Sequence, residues 1–487
     1  MICLSLTEST IEENLLLLEK YRPHVGITEI RGDYLRTDEL RRLKDFPRLA
    51  GLPVILTLRR VKDGGKWEGR EAERLALYRD CLDAGYACFD LEEDLPCQDW
   101  ESRWRARGRI IRSFHDFQGV PAGLSRRFLN LPRNEQEIPK AAVMPRSSTD
   151  LITLFKTAGE VRRNLGADRP WLLLGMGDFG FATRVLAGWM GCWFTFTSGE
   201  GRSAAPGHID PARMETLYRY SRITRETPLY GILGHPVMHT RSPEIHNRGL
   251  AAAGLPGVYL PFETDDPVSF LSWASEAGFR GFSVTVPHKE AVIPLLEKKD
   301  QSVEVIGACN TVFRLTSGGW GGVNTDAAGF IRPLLRRFPR GIAGMETAVI
   351  GAGGAARAVV YALVKEGARV TIYNRTVARA KELARERGCF FASLDELGTD
   401  GKPVIVIQTT SAGMDRHGAV IGEDPVPRYR FRGDETVFEI VYAPPRTPLL
   451  VRAEKAGCRI IGGMEMLEAQ GWEQFKIFTG TRHPEEN

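Results

Sequence analysis

Short apolar runs alternate with amphipathic stretches at nearly even spacing through the first part of the chain. The runs are Ile2–Leu6, Gly26–Arg31, Pro53–Arg59, Ala87–Leu91, Arg109–Phe114, Ile138–Met144, Trp171–Met176 and Trp193–Thr197. Segments such as Ile11–Tyr21 and Glu71–Ala84 fall between them and repeat apolar residues with a helical period. Eight strand–helix units in succession predict an α/β fold, a TIM (β/α)8 barrel, closing after a helix around Pro211–Tyr220. Ser221–Thr227 reads as a short polar linker, and a new strand opens at Leu229.

Further on, the run Ala348–Ile350 reads as a buried strand that breaks into glycines, and a small-residue helix begins at once. Gly351 allows a tight turn and Gly353 lets the backbone approach a pyrophosphate. Gly354 and Ala355 open a helix whose first N–H groups can hold its charge. Glycine loops also occur as plain turns, and the third glycine of the pattern is Ala356. The next strand makes the reading specific. Where a ribose-binding acid would stand, the chain has Asn374, Arg375 and Thr376, then Arg379. Cations there suit a 2′-phosphate, so the pattern predicts NADP(H) over NAD(H).

At 487 residues the chain is long enough for about three domains. A net charge of +4, with basic residues spread out, argues against nucleic-acid or membrane-surface binding. The eight cysteines occur singly and form no CxxC pair, so neither a metal site nor a disulfide framework is expected. With no leader-like start and no apolar run of about 18 residues, the expectation is a cytoplasmic protein. Small molecules are the expected partners. A homo-oligomer is compatible with the sequence.

Polar residues gather at the C-terminal ends of the barrel strands, where barrel enzymes keep their chemistry. They include Glu29, Arg31, Asp33, Arg59, Asp90, Glu92, Ser113, His115, Asp116 and Lys140. Lys140 sits inside the apolar run IPKAAVM. Desolvation there lowers its pKa and leaves a free amine suited to condensation with a carbonyl. His115, on the neighbouring strand, can act as acid and base. Arg31, Arg59 and Arg184 could clamp a carboxylate.

The motifs GITEIRGD, ILTLR, RSFHDF, IPKAA, GMGDFGFATR and SAAPGHI come in the order of the type I 3-dehydroquinate dehydratases, which residues 1 to about 218 resemble. The resemblance implies Lys140 as Schiff-base lysine and His115 as general base and acid. It implies Glu29, Arg31, Arg59 and Arg184 as substrate contacts. His208 falls on the lid glutamine, Ala204 on the lid serine, and Asp63 on the glutamate that supports the histidine.

From about residue 228 to 481, YGILGHPVMHTRSPEIHN, GFSVTVPHK, IGACNTV, GGVNTDAAG, the glycine loop and GGMEMLEAQG resemble the shikimate dehydrogenases in order. Lys289 after a stiffening proline and Asp326 at the end of GVNTD could relay a proton to a developing alkoxide. A structural ion pair is the other reading of these two. The resemblance assigns them as the catalytic dyad and places Thr240, Ser242, Thr285, Asn310 and Gln470 around shikimate. Ser283, Thr240, Gln408 and Glu439 depart from the family pattern.

Together the resemblances imply a barrel over 1–220, a substrate-binding domain over 228–330, a Rossmann NADP-binding domain over 331–455, and a helical segment over 456–487 returning to the substrate domain. The implied function is bifunctional. 3-Dehydroquinate is dehydrated to 3-dehydroshikimate, which NADPH reduces to shikimate. A working reductase with a degenerate, binding-only barrel is the alternative, as is quinate as a substrate.

Overall fold

A computed structural model describes residues 1–166, 168–199, 207–398, 402–416, 419–421 and 424–486. The chain forms two compact units, Met1–Thr240 with Pro256–Phe279, and Arg241–Leu255 with Arg280–Asn487.

In the first unit, strands β1 (Ile2–Leu6), β2 (Ile27–Arg31), β3 (Val54–Thr57), β4 (Cys88–Glu92), β5 (Arg109–Asp116), β6 (Ile138–Val143), β7 (Leu172–Gly175) and β8 (Thr195–Ser198) make one sheet in the order 7-6-5-4-3-2-1-8. Its neighbouring strands pair in parallel. At the seam between β7 and β8 the Trp193 N–H donates to the Trp171 carbonyl at 2.9 Å. The predicted barrel is therefore present, with strand bounds close to those the hydrophobic runs indicate.

Strand alternation explains where the chemistry sits. Inward positions near the strand starts are apolar: Cys3, Ile27, Ile55, Cys88, Ile111 and Ile138 pack with Leu172, Phe194 and Phe196 into one plug. Two residues further along, on the same face, the chain turns polar at Ser5, Glu29, Thr57, Asp90, Ser113 and Lys140. The plug excludes water from below, and the polar layer lies above it toward the C-terminal strand ends.

The same unit holds the parallel pair β9 (Leu229–Gly234) and β10 (Val258–Glu263). The helix Pro267–Ala277 follows β10 and packs on the barrel helix Ser148–Leu165. Phe155 and Trp273 stack at 4.9 Å between ring centres, and the Ser148 N–H and hydroxyl both donate to Asp265 Oδ1, at 2.8 and 2.7 Å. The polar linker lies against the barrel, with the Arg225 guanidinium 3.8 Å from the Trp189 ring centre.

The second unit contains β11 (Gly281–Val284), β12 (Leu296–Lys299), β13 (Thr311–Arg314) and β14 (Trp320–Val323). β13 pairs antiparallel with β11 and β14, and β12 pairs parallel with β14. Next come β15 (Glu346–Ile350), β16 (Arg369–Asn374), β17 (Phe390–Ser393), β18 (Ile405–Gln408), the hairpin β19 (Met414–Arg416) and β20 (Ala419–Ile421), then β21 (Thr436–Glu439) and β22 (Arg459–Ile461). Six of these form a parallel sheet in the order 17-16-15-18-21-22. The order reverses at β15, and ligands of doubly wound sheets bind outside the strand ends at such a point.

Candidate active sites

Lys140 is 4% exposed, and its amine lies 2.7 Å from Asp90 Oδ2 and 3.9 Å from Glu29 Oε1. It also sits 4.1 Å from the centre of the Phe196 ring. The sequence suggests an amine isolated in an apolar strand. The structure instead gives it a carboxylate partner two strands away. Asp90 is the hub, accepting from Arg59 Nη2 at 2.7 Å and from the Ser113 hydroxyl at 2.5 Å. Burial alone would raise its carboxyl, but the cations of Arg59 and Lys140 hold it well below the usual carboxylate range. Glu29 is fixed by the hydroxyls of Ser5 and Thr57, each at 2.7 Å.

His115 lies on β5 two residues beyond Ser113, which pairs with Lys140, so it shares the inward face. Its Nδ1 is buried with no hydrogen-bond partner among the described residues. Burial, then the charges of Arg59 and Lys140, push His115 well below the ordinary histidine value and keep the ring neutral. A neutral imidazole in a pocket shared with Glu29, Arg31, Arg59, Asp63, Arg184 and His208 is a ready base.

The three arginines differ. Arg31 is engaged by Asp33 through Nε at 3.0 Å and Nη2 at 2.7 Å, and Arg59 by Asp90 and Glu92. Burial pushes Arg184 down to about 10. Arg31 and Arg59 thus approach a ligand with part of their donor sets already used. Asp63 accepts from Arg60 Nε at 2.6 Å and lines the pocket near His115. His208 is pushed well below its ordinary value by burial and by Arg184, Arg31 and Lys140. His208 therefore does not titrate near its unperturbed value of about 6.5. Ala204 and Ser203 lie outside the described residues.

In the second unit the Lys289 ammonium meets Asp326 Oδ2 at 2.5 Å. Asp326 is the first residue of the helix Asp326–Arg337, where the positive end of the helix favours its charge. Asn310 Nδ2 donates to Asp326 Oδ1 at 2.8 Å and lies 3.4 Å from Gln470 Oε1. Gln470 reaches this point because Gly329 lets the helix Gly463–Thr479 approach; a Cβ on Gly329 would lie 2.5 Å from that of Gln470. Lys289, Asp326, Asn310 and Gln470 are thus brought together. Thr285 is half-buried beyond β11, and Ser242 is buried at the start of the helix Ser242–Ala252. Thr240 falls in the first unit, its N–H donating to Val237 O at 3.0 Å.

The loop after β15 is built for close approach. Gly351 has φ +111°, and a side chain there would meet Thr409 Oγ1 at 2.6 Å. Gly353 precedes the helix Gly354–Lys365 without a side-chain cap, and a Cβ on Gly353 or Gly354 would find open space. Uncapped N–H groups facing room suit a pyrophosphate. Asn374 ends β16, where its amide donates to Thr376 O at 2.8 Å, and Arg375, Thr376 and Arg379 are exposed beyond it. These residues fit a 2′-phosphorylated dinucleotide. The two longer side chains on neighbouring strands shape the loops at this sheet end. Gln408 binds Thr410 and Ala412, and Glu439 accepts from Val441 N and Thr447 Oγ1 while burial pushes its carboxyl up to about 8.

Two residues with visible roles carry no role in the motif reading. Asp90 shows its inward position through Cys88, Asp90 and Glu92 at spacing two. Gln474 stands one turn past Gln470 on the same helix face.

Residues 2–225 match the family model of type I 3-dehydroquinase. Residues 232–312 match the shikimate dehydrogenase substrate binding domain, and 334–415 match shikimate / quinate 5-dehydrogenase. The chain is 32% identical over 513 residues to the chloroplastic bifunctional 3-dehydroquinate dehydratase/shikimate dehydrogenase of Arabidopsis thaliana, covering 100% of this chain and 83% of that protein. It is 39% identical over 263 residues to the shikimate dehydrogenase (NADP(+)) of Syntrophobacter fumaroxidans, covering 53% of this chain and 90% of that one. The crystal structure of shikimate dehydrogenase from Aquifex aeolicus is similar at a TM-score of 0.50 and 36% identity, covering 54% of this chain and 96% of that one.

Proposed function

The chain belongs to the family of bifunctional 3-dehydroquinate dehydratase/shikimate dehydrogenases, and from that premise we propose how its own residues carry the two reactions. It is a lyase and an NADP-dependent oxidoreductase of the shikimate pathway. It dehydrates 3-dehydroquinate to 3-dehydroshikimate and reduces that product to shikimate. The observation that supports an active barrel best is the buried set of Lys140, Asp90 and Glu29 beside the half-buried, neutral His115.

In the proposed dehydration, the Lys140 amine adds to the C3 ketone and water leaves, giving an imine. The imine makes the C2 proton acidic, and His115 removes it. The C1 hydroxyl then departs as water with a proton returned by His115, and hydrolysis of the imine frees Lys140 and the enone. Arg31, Arg59, Arg184 and His208 surround the substrate's carboxylate and hydroxyls in this reading. Among these, Arg184 is 1% exposed and supplies a cation in a dry setting.

In the proposed reduction, the Gly351–Ala355 loop holds the pyrophosphate, and Asn374, Arg375, Thr376 and Arg379 hold the 2′-phosphate of NADP(H). When bound, the cofactor supplies the hydride for the C3 carbonyl. Lys289, held against Asp326, donates the proton to the developing alkoxide oxygen. Asn310, Gln470, Thr285 and Ser242 orient the substrate's hydroxyls and carboxylate. We assign 228–330 with 456–487 to substrate binding and 331–455 to NADP binding.

A cytoplasmic location is part of this proposal. It is supported by eight cysteines that are all free thiols. No described helix is long and apolar enough to cross a membrane.

Borohydride trapping tests the barrel chemistry. Sodium borohydride added with 3-dehydroshikimate should fix a mass adduct on Lys140. Dehydratase activity without an adduct at that residue contradicts the imine route.

A further inference from the structure

Gln474 lies one helical turn beyond Gln470 and is 3% exposed. Its Nε2 donates to the Asn310 backbone carbonyl at 3.2 Å and to Thr311 Oγ1 at 3.0 Å. A carbonyl can only accept, so the amide orientation is fixed, and Oε1 is left to accept from the Ser283 hydroxyl at 2.7 Å. Thr311 Oγ1, accepting from Gln474, donates onward to Asn310 Oδ1 at 2.8 Å. That oxygen also accepts from the Thr325 backbone N–H at 2.8 Å. Asn310 Nδ2 is thereby turned to donate to Asp326 Oδ1 at 2.8 Å and to Thr325 Oγ1 at 3.0 Å, and Asp326 Oδ2 meets Lys289.

Every donor in this series points the same way. Ser283 donates to Gln474, Gln474 to Thr311, Thr311 to Asn310, and Asn310 to Asp326. Head-to-tail hydrogen bonds in a buried setting polarise one another, so the last one is firmer than it would be alone. Gln474 is also hydrogen-bonded by His246, and the series runs from Ser283, one of the departures from the resembled family pattern. It ends on the carboxylate that holds the proton-donating lysine.

We propose that Gln474, anchored by Ser283, is a positioning residue of the reductase. It acts through Thr311 and Asn310 to hold the Asp326 carboxylate in the orientation that presents Lys289 to the substrate. The proposal rests on the reading of Lys289 and Asp326 as the catalytic dyad. Gln474 itself touches neither reacting atom nor cofactor.

The test measures shikimate oxidation by the full-length chain with NADP, resolving kcat and both Michaelis constants. Gln474→Met keeps the side-chain length and removes the amide. It should lower kcat about tenfold, the equivalent of one lost hydrogen bond, and leave both Michaelis constants within about twofold. Thr311→Val cuts the series at its next link. The double variant should then be no slower than the slower single variant, because both changes break one path. Ser283→Ala, a gentler change, should lower kcat about threefold. It carries the test if Gln474→Met fails to fold, as judged by its NADP dissociation constant. A wild-type kcat in Gln474→Met, a rise in KM alone, or multiplying losses in the double variant would overturn the proposal. Lys289→Ala separates the two readings. If it stays active, the dyad assignment falls and this inference with it. If it is inactive while Gln474→Met and Ser283→Ala match wild type, only this inference falls.

Discussion

The amine of Lys140 and the Oδ2 of Asp90 lie 2.7 Å apart inside the barrel, on strands separated by β5. The contact gives the buried lysine a counter-charge, and Arg59 shares the same carboxylate from the other side. Asp90 therefore aims two groups of the proposed substrate site. Removing its charge leaves buried cations without compensation, a change worth about 3–5 kcal/mol when a buried pair is broken. Asp90→Asn should lower the melting temperature of the barrel and reduce dehydratase kcat by about a hundredfold or more. Thermal denaturation with dehydratase assays checks both, and a variant with near wild-type values would contradict the account.

Acid sensitivity follows from His115. In the proposed dehydration its neutral form is the base, and burial with Arg59 and Lys140 pushes its titration well below the ordinary histidine value of about 6.5. Falling pH should thus leave kcat/KM for dehydration nearly flat through 6.5, with the acid limb clearly lower. The stability sign agrees. The unfolded chain takes up the histidine proton below about 6.5 while the folded one does not, so stability is full above that pH and declines as pH falls. His208 is depressed in the same direction, so His208→Gln should not move the limb. An acid limb at or above 6.5 would contradict this.

In the proposed reduction, cofactor choice rests on the exposed cations Arg375 and Arg379 beyond β16. A hydrogen bond to a charged group is worth roughly 1.5–3 kcal/mol, or about tenfold or more per contact. NADP should exceed NAD by at least about tenfold in kcat/KM. Arg375→Ala should shrink that ratio through the KM for NADP, with the NAD value nearly constant. Equal loss with both cofactors would place Arg375 outside 2′-phosphate recognition.

The fold was legible because its signals are local. Strand β1 spans the residues of its apolar run, Ile2–Leu6, and β5 merely extends two residues past its run to include His115 and Asp116. Lys140 and the glycine loop were legible for the same reason, a charge in an apolar strand and glycines at a strand end. Asp90 was visible as a strand-end charge, but its role was not. Its partners come from β3, β5 and β6, and pairing among inward side chains is a tertiary fact. Gln474 was hidden by helical context, where a polar residue reads as solvent-facing unless the packing helix is known. The pairing of Arg31 and Arg59 with neighbouring acids likewise left no trace in motif spacing.

The central claim is that one chain performs both steps, and one coupled assay tests it. The purified chain receives 3-dehydroquinate and NADPH, while the enone absorbance and NADPH loss are followed together. The account predicts a transient enone signal, NADPH consumption after a lag, and shikimate as product. Lys140→Ala should consume no NADPH with 3-dehydroquinate yet keep near wild-type rates with 3-dehydroshikimate. A wild-type chain that reduces 3-dehydroshikimate but leaves 3-dehydroquinate untouched would contradict the account and make the barrel a binding domain only.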